Sequence, residues 1–276
     1  MRPVAEGVAL LSVDGTVVGR YHDGSELAAV LSPRPYLELS TAGGVPVTEV
    51  GAEDHAHHFA VSLAVPDVDG ITFWGGRTYV RGSGSTLLEN HGRQSVTERR
   101  QEGARIEEEL DWLSPAGERI AREHRELRAE PATDGWVLRW RSTLIAGAAG
   151  LSIGSPQTNG RDGAFYGGLF VRTPFRRADV RTADGQGTQA AHGSTSPYLA
   201  VSTPAASLVA GGSPTLPWFV RTDEYVGFGL ALAVEARRVV APGESLRTAL
   251  SLVVLDGALD DRRLDRATAA MGEAAA

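Results

Sequence analysis

The densest group of chemically versatile side chains is Glu53-Asp54-His55-Ala56-His57-His58, with three of the seven histidines and two carboxylates. In an extended segment side chains alternate, so His55 and His57 are expected on one side, roughly 7 Å apart, and His58 on the other. Imidazoles titrate near neutrality and bond through two nitrogens, which suits proton transfer, a grip on hydroxyls or metal ligation. Asp54 stands where a carboxylate orients an imidazole, and His57, with a histidine on either side to tune it, is the expected base. Because the chain has no cysteine, one divalent metal on His55 and His57 would need imidazole and carboxylate donors, a set suited to Mn, Fe, Zn or Ni.

A second group pairs arginines with aromatic rings. Arg34-Pro35-Tyr36 and Pro217-Trp218-Phe219-Val220-Arg221 stand at strand entrances, and Tyr225 follows four residues later. The planar guanidinium fork matches hydroxyls or a carboxylate, while a ring supplies an apolar floor. Asp67–Gly70 reads as a turn leading to Trp74 and two glycines. Tyr166-Gly167-Gly168-Leu169-Phe170-Val171-Arg172 ends with an arginine on a strand. Arg34, Tyr36, Trp74, Arg172, Trp218, Arg221 and Tyr225 are therefore candidates to hold a substrate. His91, His124 and His192 are isolated. His192 lies in the Gly-rich stretch 185–196, read as a long loop, and Glu126 shares a strand face with His124 as either an acid–base or a surface pair.

Two absences narrow the chemistry. Cysteine nucleophiles and disulfides are excluded, and because all 27 basic residues are arginine, so are lysine Schiff bases and the GxxxxGK[ST] phosphate loop. The exclusive use of arginine points to a GC-rich bacterial genome. A net charge of −7 offers no attraction to nucleic acid or anionic lipid. The start of the chain has one basic residue and an early Asp14, unlike a secretory leader, and no run approaches the roughly 20 apolar residues of a membrane span. A cytoplasmic location is expected.

The elements that must position these groups read as strands. Val8–Val13, Asp14-Gly15 and Thr16–Tyr21 form a hairpin pattern with a tight turn. Ile106, Glu108, Leu110 and Trp112 share one strand face. Ser114–Gly117 turns the chain into 118–129, and after Asp134-Gly135 the residues Trp136, Leu138, Trp140 and Leu144 share another face. Strand alternation also suits the second half of the charge-rich 98–109. The runs 229–236 and 246–255, apolar on both faces, flank an Ala-Pro-Gly turn and read as central strands. Helix is expected only over 259–274, with Asp260 or Asp261 as cap and Leu264, Ala267, Thr268 and Met271 on one side. These patterns predict an all-β, large antiparallel two-sheet β-sandwich with a short C-terminal helix, formed as one domain over residues 1–276.

Several segments together resemble the bacterial PmoA-like family: RPYLELSTAGGVPVTEV, EDHAHHFAVSLAVPDVDGITFWGG, YGGLFVR, SPTLPWFVRTDEYVGF and PGESLRTALSLVVLDG. They span most of the chain in the family's order, and the Asp54–His58 box followed by Gly70–Trp74 is the most specific part. Departures are Glu38-Leu39 for His-Pro, Ala56 for Pro, Phe59 for Arg, and Asp162 as the nearest replacement for a glutamate before Gly167-Gly168. The methane-oxygenase label of that family does not transfer, because the methane monooxygenase subunit is a membrane protein. The resemblance implies a galactose mutarotase-like supersandwich with its histidine box placed as in aldose 1-epimerases, and a sugar or glycoside as partner.

Three functions are consistent with these residues. The first is a carbohydrate-active enzyme using His55, His57, His58 and Asp54 in acid/base chemistry, with or without a metal, for epimerisation, β-elimination or hydrolysis. The second is a non-catalytic sugar-binding sandwich that relies on Trp74, Trp218 and Tyr36. The third is a His/carboxylate metal-dependent oxygenase.

Overall fold

Alternating side chains give each predicted strand one face to bury, and the chain satisfies them by stacking two antiparallel sheets. A computed structural model describes residues 2–3 and 7–272. Val8–Val13 and Thr16–His22 form the expected hairpin. Asp14 and Gly15 both take positive φ, at 49° and 80°, as a two-residue turn matched to strand twist requires.

The larger sheet has ten strands. Its middle runs Arg93–Glu102, Arg105–Leu113, Arg119–Ala132, Gly135–Ala146, Ser245–Asp256 and Ala206–Gly212 in spatial order. The smaller has seven, in the order Val8–Val13, Thr16–His22, Tyr36–Leu39, Val61–Ala64, Gly168–Arg172, Gly227–Leu230 and Trp218–Arg221. Their facing sides enclose the main core, where Trp112, Trp136, Trp140 and Trp218 are fully buried. The expected faces are borne out: Ile106, Glu108, Leu110 and Trp112 are buried together, as are Trp136, Leu138, Trp140 and Leu144.

That core also encloses an ionic network that alternation does not announce. Arg125 donates to both oxygens of Glu123, to the Tyr21 hydroxyl and to Gln94 Oε1, while Trp112 and Ser142 also donate to Glu123. Tyr21 in turn donates to Glu108, which Arg99 also pairs. Each charge here has an opposite partner, which offsets part of the desolvation cost, although the buried Arg99 Nη2 has no hydrogen-bond partner.

The helix Asp261–Met271 covers the outer face of the ten-stranded sheet, burying Leu264, Ala267 and Met271 against Val137, Val209 and Val253. The Asp260 carboxylate caps it by accepting from the Arg263 amide at 2.8 Å. The last two residues of the predicted 259–274 helix lie outside the described residues. Among the described residues no helix is long and apolar enough to cross a membrane.

Two expectations need correction. The 229–236 run is strand only to Leu230, in the seven-stranded sheet, whereas Ser245–Asp256 belongs to the other sheet. Past Leu230 the amides of Ala231 and Leu232 turn to the carbonyls of Pro217 and Gly167. Apolar residues on both faces reported burial there, not pairing. The stretch 185–196 is no open loop either: Gly185–Gln186 is a strand and Thr188–Ala191 a helical turn.

Candidate functional site

The face of the seven-stranded sheet turned away from the core carries the site. On Gly168–Arg172, Leu169 and Val171 enter the core, so Phe170 and Arg172 point outward. On Trp218–Arg221 the same alternation sends Trp218 and Val220 inward and Phe219 and Arg221 outward. Between these strands Gly227 pairs with both Arg172 and Arg221, setting all three in one row. A Cβ on Gly227 would stand 2.8 Å from the Tyr225 ring and 2.9 Å from Phe170, so glycine there leaves room for both rings.

The histidine box hangs from the end of this sheet. The hairpin Val50–Ala52 and His55–Phe59 is tied to Arg172, whose amide donates to Ala60 O and whose carbonyl accepts from the Glu49 amide. Pairing passes from Ala52↔His55 to Val50↔Phe59, which places two extra residues in the histidine strand. That irregularity overturns simple alternation, so His58 does not face away. It stacks on His55 with ring centroids 4.5 Å apart, and His57 closes edge-on at 4.9 Å from His58.

Arg172 organises the cluster. It is 4% exposed and donates through Nε to Glu49 Oε2 at 3.1 Å and through Nη2 to the two Asp54 oxygens at 2.8 and 3.0 Å. Its Nη1 faces His58 Nδ1 at 3.4 Å, and its guanidinium lies over the Tyr225 ring at 4.3 Å. Arginine has only hydrogens to offer, so His58 Nδ1 accepts and the His58 proton sits on Nε2.

Asp54 lies 2.8 Å from His55 Nδ1. The carboxylate accepts, so the neutral His55 ring carries its proton on Nδ1 and leaves its lone pair on Nε2. Burial raises the Asp54 carboxyl, but the His55 hydrogen bond and the Arg172 guanidinium outweigh it and hold the group below the usual carboxylate range.

Burial, aided by the Arg34 charge, lowers His57 to about 4. Burial, followed by the neighbouring imidazoles and Arg172, lowers His58 further. Both are therefore neutral donors and acceptors at pH 7, and burial makes His57 a weaker base than a free imidazole. Asp54 serves His55, not His57. Tyr225, edge-on to His55 and His58 at 5.1 and 5.2 Å, is raised by burial to about 12 and stays a hydroxyl donor.

Of the other expected binding residues, the structure keeps some here and sends others elsewhere. Trp74 lies beneath the cluster, 5.5 Å edge-on from His58 and packed on Tyr166 and Phe170, but at 4% exposure it is floor and not rim. Arg221 stands at the far end of the arginine row. Trp218, 1% exposed, donates to Ser196 O from inside the main core and offers no sugar platform. Tyr36 stacks on His22 and joins a separate apolar cluster with Phe59. Arg34 is 2% exposed and donates to Leu31 O, Ser32 O, His57 O and Ser62 Oγ, so it fixes the backbone instead of substrate hydroxyls.

Residues outside the expected set complete the site. Glu49 shares Arg172, and Phe170 shares its face two residues earlier, a signal the strand period already held. His91 Nε2 donates to Gly76 O at 2.8 Å, holding the Gly75-Gly76 turn over His57. A Cβ on Gly76 would stand 2.8 Å from His57 Nδ1, at φ 70°. His192 Nδ1 accepts from the Val220 amide and its Nε2 donates to Gly163 O, which makes it a brace. His124 pairs with Glu109 across strands on the surface, not with Glu126.

A divalent metal on His55 and His57 does not fit these donors. Among the described residues no group of three or more His, Asp or Glu side chains is arranged to hold an ion. His55 Nδ1 is taken by Asp54, and Arg172 places a fixed positive charge in the cluster. His55 and His57 stand edge to face, with ring centroids 5.7 Å apart.

The fold and site can be set beside known proteins. The model of DUF6807, a family of unknown function, matches residues 9–269. The chain belongs to that family. The PmoA-like label rests on the motifs alone. No curated protein sequence matches the chain. Among solved structures, a provisionally assigned aldose 1-epimerase of Escherichia coli K12 is similar, with a TM-score of 0.50 and 10% identity over 90% of this chain and 99% of that one. A heparinase III is similar at a TM-score of 0.48 and 8% identity, over 94% of this chain and 36% of that one. The sandwich of the DUF6807 chain is thus of the aldose epimerase-like kind.

Proposed function

We propose that this member of DUF6807 is a carbohydrate-active enzyme in which His55, oriented by Asp54, moves the proton. The observation that carries the reading is the Asp54–His55 pair, at 2.8 Å, clamped by a buried Arg172. Such an arrangement fixes the tautomer, leaves His55 Nε2 as base and stabilises the imidazolium that forms. The Nε2–H of neutral His58 and the Tyr225 hydroxyl then donate toward charge developing on a ring or carbonyl oxygen. Both carboxylates of the cluster, Glu49 and Asp54, are bound to Arg172. Held on that guanidinium, neither is free to act as the proton-donating carboxyl of a carboxylate-pair glycosidase, which favours epimerisation or β-elimination over hydrolysis. The aldose epimerase-like sandwich supports a sugar as ligand, and Trp74 with Phe170 supplies the apolar floor beneath it.

The test is a panel of aldoses, keto-sugars and glycosides, followed by NMR for anomeric or epimeric exchange and by absorbance for unsaturated products. His55→Ala should lower kcat by a factor on the order of 100 or more, with KM changed much less. His57→Asn should keep most of the turnover. Full activity in His55→Ala, or loss confined to His57→Asn, overturns the assignment.

A further inference from the structure

The row Arg172–Gly227–Arg221 sets two guanidinium groups on one face, roughly 10 Å apart at their backbones, which is two strand spacings. The residue between them has no side chain. Tyr225 occupies that gap, its ring against the Gly227 position and under the Arg172 guanidinium at 4.3 Å. The two arginines differ in what neutralises them. Arg172 meets Glu49 and Asp54. The Arg221 guanidinium forms no hydrogen bond or ion pair with any described residue and only overlies the Phe219 ring at 5.7 Å. It is half-buried, whereas the acidic residues just after it, Asp223 and Glu224, are exposed and unpaired with it.

Aromatic contacts join this free charge to the histidines. Phe219 touches Tyr166 at 5.6 Å, Tyr166 touches Trp74 at 4.6 Å, and Trp74 touches His58 at 5.5 Å. Arg161 adds a second positive group beside Tyr166, where it and Arg221 both oppose the upward push of burial on the phenol. One end of the site therefore holds a carboxylate–imidazole pair and the other holds uncompensated arginine. In a chain of net charge −7, an unneutralised arginine half-buried among aromatic rings at one end of the histidine cluster marks a place where a ligand brings the missing negative charge.

We infer that the ligand is an anionic sugar, bearing a carboxylate or a phosphate, whose charged group docks on Arg221 with Tyr225 and Tyr166 beside it while its reacting carbons lie over the histidines. This rests on the sugar reading above and adds the substrate class. A planar carboxylate matches the guanidinium fork in two parallel hydrogen bonds; a phosphate uses the same donors with greater charge.

The test measures binding, so it does not depend on turnover. Glucose, glucuronate and glucose 6-phosphate are titrated into the wild-type chain and into Arg221→Gln and Arg221→Lys, followed by NMR chemical shifts at low and high salt. The inference expects at least one anionic sugar to bind more tightly than glucose. Arg221→Gln should erase that preference, weakening the anion on the order of tenfold to a hundredfold, and Arg221→Lys should retain part of it. A preference for glucuronate assigns a sugar acid, and one for glucose 6-phosphate a phosphate ester. Equal binding of glucose and both anions, or a preference that survives Arg221→Gln, overturns the inference. Arg221-dependent binding in a protein that turns over no sugar would uphold it while removing the acid/base reading.

Discussion

Acid should unfold this protein through its own site, and His57 makes the effect calculable. In the unfolded chain the imidazole titrates near 6.5; in the fold, burial and the charge of Arg34 lower it to about 4. Below pH 6.5 the unfolded chain therefore binds a proton that the native state refuses. Stability falls as the pH drops, and the loss levels off only below the native value of about 4. Between pH 7 and pH 5 the two titration curves differ by about 1.8 kcal/mol for His57 alone. His58, shifted in the same direction, adds a loss of the same sign. The measurement is urea unfolding at pH 7, 6 and 5 in the wild-type chain and in His57→Asn, which keeps a neutral polar side chain. The variant should lose about 1.8 kcal/mol less than the wild type over that range, with an unchanged slope against urea. Equal losses in the two proteins would refute the claim that His57 is held neutral, and with it the transfer of the base role to His55.

Arg172→Lys keeps the charge but replaces a fork reaching Glu49, Asp54 and His58 with a single ammonium. Because both carboxylates are partly exposed, the stability loss should be only about 2 kcal/mol, roughly 4–8 °C in melting temperature. Turnover should fall at least about tenfold as Asp54 loses its anchor; near-normal kcat would show that the guanidinium geometry is not needed. In the core, Arg125→Met leaves the fully buried Glu123 without its cation and should cost about 3–5 kcal/mol by urea unfolding. The double change Glu123→Leu with Arg125→Met should recover part of that loss. A penalty below about 1 kcal/mol for Arg125→Met would mean that water reaches the network.

Much of the sandwich was legible in the chain because strand periodicity is local. The backbone of one strand sends successive side chains to opposite faces, so Trp136, Leu138, Trp140 and Leu144 announce a buried face before any partner is known. The Asp14-Gly15 turn and the Asp260 cap are equally local, each set by the conformational preferences of a few residues. The histidine box drew notice by composition in the same way.

What those histidines do was decided elsewhere. Arg172 meets Asp54 across 118 residues of sequence, and that contact selects His55 as the oriented imidazole. The two extra residues in the Val50–Phe59 pairing bring His58 round to its neighbours, against the alternation that holds in an unbroken strand. Trp218 and Arg221 carry similar promise as a pair in the sequence, yet opposite faces of one strand send the first into the core and leave the second free beside Tyr225. Side-chain chemistry and local period are properties of neighbouring residues. Which side of a sheet is covered, and which charge is left without a partner, depends on the register of strands far apart in the chain, and only the assembled sheets set it.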